Sequence, residues 1–412
     1  MMPPEMRVVM LLRNPFTRDA RVLREARTLA AAGHAVTVIA VRARGLPAME
    51  RRDGFAIDRA VAAGRLAGPT ISGQAARPAA GGAMSRRRPA AGGATSRRRP
   101  ASAVWLRDRT LTRSFTRAAL ARPADVYHAH DLTVLEPALR AARAHGARLV
   151  YDAHELYPEL TGLAKSERAR WARLERRLIR EPDVVIVPSP ARADAMAERY
   201  GIERPVVIMN APEAGPVPDP AASPLAVLRQ AGETLLVYAG GFTPNRGLEN
   251  VVRALEALPT CRLTMIGWGP LEPELRAVAA RGGAEARVEF LPAVEPDQVV
   301  ATIAGADIGL APYIPIGLNN QLAAPNKLAE YLHAGLAVAA SDLPDVRALV
   351  QRHAVGTLFD ATSPTSIAAA IGELLEPGRL EKAKAAARAA APGYTWERQA
   401  EVLLGIYEKL RS

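Results

Sequence analysis

Short apolar runs alternate with longer helical stretches along this chain, and the alternation starts over after a proline-rich break. Val8–Leu12, Val36–Val41, Phe55–Ala62, Asp125–His130, Arg148–Ala153, Asp183–Pro188 and Val206–Asn210 read as strands. Asp19–Ala32, Val104–Ala121, Leu132–His145, Glu167–Arg180 and Ala191–Tyr200 read as helices between them. Strands that are apolar along their whole length must be covered on both faces, which implies a parallel sheet packed between helices. Ala211–Ser223 (APEAGPVPDPAAS) reads as a linker. The pattern then restarts, with strands from Thr234–Ala239 to Gly356–Phe359 and a last helix at Thr395–Leu410. This predicts an α/β chain of two tandem Rossmann-like, doubly wound parallel-sheet domains, 1–215 and 224–392, facing across a cleft. A C-terminal helix in 393–412 is expected to pack back towards the first domain. Ligands of such sheets lie beyond the carboxyl ends of the strands, so the cleft is where a site belongs.

Composition narrows the class. With 412 residues and 49% apolar residues the chain can bury two cores, and a single cysteine, Cys261, excludes a disulfide framework. The net charge of +12 suggests a polyanion partner until it is mapped. Residues 63–102 hold eight arginines and no acid, including the tandem repeat PAAGGAMSRRR/PAAGGATSRRR, which leaves 12 − 8 = +4 on everything else. Such a segment has no apolar face to bury, and is expected to be a disordered surface insert. Nucleic acid is therefore not an expected partner, while an anionic membrane surface remains one. The apolar run Val8–Leu12 is too short for a leader or a membrane span. The expected location is cytoplasmic, or peripheral at the inner face of a membrane.

Five segments carry polar chemistry at strand ends or helix starts. Tyr238-Ala-Gly-Gly-Phe-Thr-Pro-Asn-Arg-Gly closes a strand with Gly240 and Gly241 and opens a helix at Arg246. That arrangement lets a phosphate reach backbone N–H groups and a bidentate cation. Ala324-Pro-Asn-Lys-Leu-Ala-Glu places Asn326 and Lys327 at another helix start, with Glu330 one turn further in, where a carboxylate can accept from ribose hydroxyls. Tyr127-His-Ala-His-Asp and Tyr151-Asp-Ala-His-Glu each deliver a histidine–acid pair to a strand end, and His130 and His154 become candidates there. Asn14, Asp19 and Arg21, in the loop and helix after the first strand, are candidate acceptor contacts. The alternatives are ordinary ones: βα turns, a helix cap, histidines satisfied at strand ends. No metal-ligand spacing, Walker A loop, G-x-S-x-G elbow or Asp-x-Asp pair is present.

Taken in order, YAGGFTPNRGLE, LTMIGWGPLEPELR (263–276), ADIGLAPY (306–313) and PNKLAEYLHAGLAVAAS (325–341) resemble the retaining GT-B glycosyltransferases of family 4, group 1. RDARVLREARTLAAAGHAVTVIA (18–40) and LVYDAHELYPE (149–159) extend the resemblance through the first half. It implies a nucleotide diphosphate sugar as donor co-substrate, an acceptor that is a glycan, lipid-linked or a small molecule, and no cofactor or metal. Gly240, Gly241, Arg246, Asn326, Lys327 and Glu330 would hold the donor, the turn Leu291–Ala293 would frame its base, and His154 and Arg246 would act at the transferred sugar and leaving diphosphate. Asn14, Asp19, Arg21 and His130 would meet the acceptor. Two positions depart from the family pattern: Leu322 stands where its first motif glutamate falls, and Gly241 where its usual arginine falls. Two other readings compete. One is a non-transferring, epimerase-like nucleotide-sugar enzyme of the same fold. The other is a decayed basic binding protein working through its arginine-rich insert.

Overall fold

The structure is a computed structural model that describes residues 5–17, 19–62 and 101–411. Most of the arginine-rich insert lies outside the described residues; its last two positions, 101 and 102, already belong to the helix Ala101–Leu120.

The first sheet is built from β1 (Arg7–Leu12), β2 (Ala35–Arg42), β3 (Met49–Arg52), β4 (Phe55–Ala62), β5 (Val126–His130), β6 (Arg148–Asp152), β7 (Val184–Val187) and β8 (Val206–Val207). Its order is β3-β4-β2-β1-β5-β6-β7-β8. All neighbours pair in parallel except β3 with β4. The second sheet comprises β9 (Thr234–Ala239), β10 (Cys261–Ile266), β11 (Val288–Leu291), β12 (Ile308–Ala311), β13 (Ala337–Ser341) and β14 (Gly356–Phe359), in the order β11-β10-β9-β12-β13-β14 and wholly parallel. Buried residues such as Met10, Val38, Leu236 and Leu310 fill the central strands, so helices cover both faces. The strand order reverses beside β1 and β5 in one sheet and beside β9 and β12 in the other, which opens a crevice at each carboxyl edge.

β3 is the element the apolar pattern does not show. Its sequence, Met-Glu-Arg-Arg, is polar because it is an edge strand, and it returns on β4 through Asp53-Gly54, both with positive φ (54° and 82°). An Asp-Gly pair in that conformation is the favoured two-residue hairpin turn and is the signal that marks it.

The helix Ala101–Leu120 turns Leu111, Phe115 and Ala118 into the first core. Among the described residues no helix is long and apolar enough to cross a membrane.

The last helix, Trp396–Arg411, leaves the second sheet and packs on the first. Trp396, Leu403, Ile406, Tyr407 and Leu410 share a core cluster with Val8, Met10, Val36 and Val38. Trp396 Nε1 donates to Thr28 Oγ1 at 2.9 Å, and Met209 N donates to Gln399 Oε1 at 2.9 Å. Deeper in the molecule Arg192 joins the halves: Nε donates to Leu322 O at 3.1 Å, while one amino nitrogen reaches Asn319 O at 3.3 Å and Glu155 Oε2 at 2.9 Å. Leu156 N donates to Asn319 Oδ1 at 3.0 Å. The half-buried Leu322 side chain packs against the first core.

Candidate active site

On the first sheet the site begins where β5 and β6 end. His130 closes β5, Asp152 closes β6, and His154 lies two residues beyond. His154 Nε2 is 2.9 Å from Asp152 Oδ2 and 3.2 Å from His130 Nδ1, and its backbone N–H donates to Asp131 Oδ1 at 3.1 Å. Arg192 donates to its carbonyl oxygen. Burial on its own would lower the pKa of this imidazole. The carboxylates of Asp152 and Asp131 outweigh burial and push it up to about 10, so the ring is held as imidazolium at neutral pH. Asp152 is held well below the carboxylate range: burial would raise it, but Arg21, His154 and His130 surround it.

Asp131 was not among the sequence candidates, and its backbone marks it. Its φ of 69° with ψ of 159° falls in a region that glycine alone enters freely. Held there, it directs Oδ1 at the backbone of His154 and Oδ2 to within 3.9 Å of His154 Nδ1.

Several first-half candidates turn out to be structural. Arg21 is 5% exposed and spends its guanidinium on Asp152, with Nε and a terminal nitrogen at 2.7 and 2.8 Å, and on Ile208 O at 2.6 Å. His130 is 1% exposed and stacks on His128 with ring centroids 4.4 Å apart. Residues two apart on a strand share a face, so both rings enter the core. Arg21 and His130 are therefore supports for Asp152 and His154. Asn14 bonds Asp19 Oδ2 at 3.0 Å and accepts from Phe16 N at 2.7 Å, while Asp19 Oδ1 caps the helix at Val22 N. That pair builds the loop after β1.

On the second sheet the backbone sets the stage. The turn Ala239–Phe242 is zipped to Ile266–Gly269, with Gly240 N on Ile266 O and Phe242 N on Trp268 O, both at 2.9 Å. A Cβ on Gly267 would fall 2.0 Å from Gly240 O, so this approach requires glycine. Gly240 itself has φ 147°, and a Cβ there would meet Tyr238 Oη at 3.3 Å and Lys327 Nζ at 3.6 Å. Gly241 O accepts from Tyr238 Oη at 3.0 Å.

Above this turn stand two cations against two aromatic rings. The Arg246 guanidinium carbon lies 4.0 Å from the centroid of Tyr313, and Lys327 Nζ lies 5.1 and 5.2 Å from the centroids of Tyr238 and Tyr313. Lys327 is 8% exposed. Neither cation forms an ion pair with a carboxylate among the described residues. Their surplus charge is visible on Tyr313: burial would raise its phenol, yet Arg246 and Lys327 draw it down. The helices that begin here, Leu248–Ala254 and Lys327–His333, are seven residues each. Their dipoles are short, so the side chains carry the positive field. Asn326 is exposed at the start of the second helix and makes no capping bond. The Glu330 carboxyl, a turn further in, makes no hydrogen bond among the described residues; burial raises it, with Lys327 and Arg24 opposing.

The two half-sites act on each other. Glu155 of the first half contributes to the field at Arg246, and Arg24 of the first helix contributes to that at Glu330. Two α/β sheets thus present a pre-charged histidine on one side of a cleft and a glycine turn beneath unpaired cations on the other.

Comparison with known proteins identifies the family and the fold. A family model described as "Glycosyltransferase Family 4" matches residues 20–211, and one described as "Glycosyl transferases group 1" matches residues 233–377. The chain belongs to the family 4, group 1 glycosyltransferases and has their GT-B fold. D-inositol 3-phosphate glycosyltransferase of Xylanimonas cellulosilytica is 26% identical over 249 residues, which is 57% of this chain and 58% of that one. The match thus spans little more than half of that relative's length. Among solved structures, sucrose-phosphate synthase from Thermosynechococcus elongatus superposes with a TM-score of 0.76 at 16% identity, covering 98% of this chain and 99% of that one. Anabaena Alr3699/HepE in complex with UDP-glucose gives 0.67 at 17% identity, covering 98% and 100%.

Proposed function

We propose that the chain transfers a glycosyl group from a nucleoside diphosphate sugar to a hydroxyl acceptor with retention of anomeric configuration. The observation that carries this reading is the pair Arg246 and Lys327. Two partly or fully buried cations without a carboxylate are expensive to hold unless an anion joins them. Gly240 places no side chain against Lys327 Nζ, which keeps the approach of an anion clear on that side. Glu330 is then free to accept from the ribose hydroxyls. A fold neighbour's structure holds UDP-glucose, which favours the same donor class here.

In the reaction the bond between the anomeric carbon and the diphosphate oxygen breaks, the acceptor oxygen bonds to that carbon on the same face, and the acceptor proton passes to the departing diphosphate. The protein contributes position and charge. Arg246 and Lys327 stabilise the leaving group, supplying charge that a divalent ion could otherwise provide. The His154 imidazolium, fixed by Asp152, offers its remaining N–H to the sugar. A relative described as acting with D-inositol 3-phosphate suggests a phosphorylated polyol as the first acceptor to try.

The test is acceptor-dependent release of nucleoside diphosphate from UDP-, GDP- and ADP-sugars, with the anomeric configuration of the product read by NMR. Acceptor-dependent release with a retained anomer is expected. Donor consumption without acceptor would favour the epimerase-like reading, and an inverted product would remove the retaining one.

A further inference from the structure

Beneath His154 the core holds a carboxyl group that neither donor nor acceptor uses. Glu25, one turn after Arg21 on the helix Ala20–Ala31, is completely buried, and neither of its carboxylate oxygens meets a hydrogen-bond donor. Arg21 Nε is 3.2 Å from Glu25 Oε1, yet its hydrogen bonds go to Asp152 and to Ile208 O. His128 Nε2 stands 3.8 Å from Glu25 Oε2, also without a partner, while His128 Nδ1 lies 3.0 Å from Tyr407 Oη of the last helix. Two carboxyl groups therefore compete for one guanidinium, and Asp152 has it. Donor atoms of Glu25, His128, His130 and Asp152 lie within 4.8 Å of one another, a spacing a cation could bridge. Arg21 already fills that place, and His154 completes the charge balance on Asp152.

We propose that Glu25 is a positioning residue for His154: standing in the core as the neutral carboxylic acid, it leaves Asp152 the single anion shared by Arg21 and His154, and its ionisation loosens His154 from the cleft. Every charged or titratable group facing this pocket fits that role. From the first helix these are Arg21 and, at its cap, Asp19; from β5 and the residue after it, His128, His130 and Asp131; from β6 and the loop after it, Asp152 and His154; from the last helix, Tyr407. Once Glu25 loses its proton, Arg21 is drawn from Asp152 towards the second carboxylate. Desolvation and the nearby Asp152 charge raise the Glu25 carboxyl to about 8, which sets where this happens.

The inference rests on the reading of His154 as the cleft histidine, so the experiment has two readouts. The first is kcat against pH for the wild type and for Glu25→Gln, which keeps the shape and cannot ionise. Wild-type kcat is expected to fall about tenfold per pH unit above the Glu25 midpoint, and Glu25→Gln is expected to lose that alkaline limb. The second is the imidazole ¹⁵N shift of His154, assigned with His154→Gln in protein labelled at its seven histidines. A wild-type shift with a midpoint near 8 that vanishes in Glu25→Gln is expected. An unchanged alkaline limb in Glu25→Gln, or a His154 signal that does not move in this range, would overturn the proposal. Should Glu25→Gln fail to fold, the wild-type ¹⁵N titration decides alone. No turnover with any donor, with the histidine shift intact, would count against the transfer reading and leave the Glu25–His154 link standing.

Discussion

The two halves of the cleft solve opposite electrostatic problems. Beside the first sheet, charge is dense and almost fully matched: Arg21 and His154 meet Asp152, and Asp131 faces His154. Beside the second, Arg246 and Lys327 lie against phenol rings, and among the described residues neither forms an ion pair with a carboxylate. A matched buried network contributes a fixed geometry, and breaking it removes stability. An unmatched pair of cations is a standing penalty that a ligand removes. The halves should therefore respond to mutation in opposite ways.

The largest effect is expected from Asp152→Ala. It strands Arg21 in the core with its main partner gone, and about 3–5 kcal/mol of folding stability should go with it. Denaturant unfolding of the ligand-free protein reads this directly. A loss below about 1 kcal/mol would show that the network is solvated and does not hold His154.

Next comes the other side. Arg246→Ala should lower turnover at least about tenfold, more than about 1.4 kcal/mol in transition-state stabilisation, while the ligand-free protein keeps its stability. Lys327→Met should leave the melting temperature unchanged or raise it, since a desolvated charge is replaced by an apolar chain of similar length. Near-normal turnover in Arg246→Ala would strip that residue of its role. Unfolding of Lys327→Met would make the lysine structural and erase the contrast between the halves.

The smallest effect is the pH dependence of stability. His154 has its folded pKa raised to about 10 from an ordinary 6.5. Its contribution is therefore complete below about 6.5 and is lost as pH rises through about 10. Glu25, raised to about 8 from 4.5, acts in the same sense over its lower window. Asp152, depressed, works oppositely: its contribution exists above its ordinary 3.8 and is lost in acid. Melting temperature should fall from near neutrality towards pH 10, and less steeply in His154→Gln. Equal slopes would mean that the charge on His154 is not held by the fold.

The sequence made the architecture readable because strand burial is written as unbroken apolar runs, as in Val8–Leu12 and Leu235–Ala239. The hairpin strand Met49–Arg52 escaped that reading because an edge strand needs no apolar face, and its Asp53-Gly54 turn was the available signal. On the second sheet, chemistry follows local sequence: a glycine turn, an arginine two residues before a helix, a lysine at a helix start. Arg246, Lys327 and Glu330 stand together for that reason. On the first sheet, charge partners come from the first helix, two strands and the last helix. Spacing alone cannot tell that Arg21 and His130 point into the core, or that the carboxylate they serve is Asp152. Asp131 was hidden for another reason, since its strain is a property of backbone angles and not of residue type. At Leu322, where the sequence departs from the family pattern, the side chain packs against the first core while its carbonyl oxygen accepts from Arg192.

We propose above all that Arg246 and Lys327 bind the diphosphate of the donor and Glu330 its ribose. Calorimetric titration with UDP, GDP and ADP, and with the matching monophosphates, tests it most directly on the wild type, Arg246→Ala and Glu330→Ala. The account predicts that one diphosphate binds at least about tenfold more tightly than its monophosphate, that Arg246→Ala abolishes this difference, and that Glu330→Ala weakens both forms alike. Equal binding of mono- and diphosphates by the wild type, or no binding of any nucleotide, would contradict it and turn attention to the basic binding-protein reading.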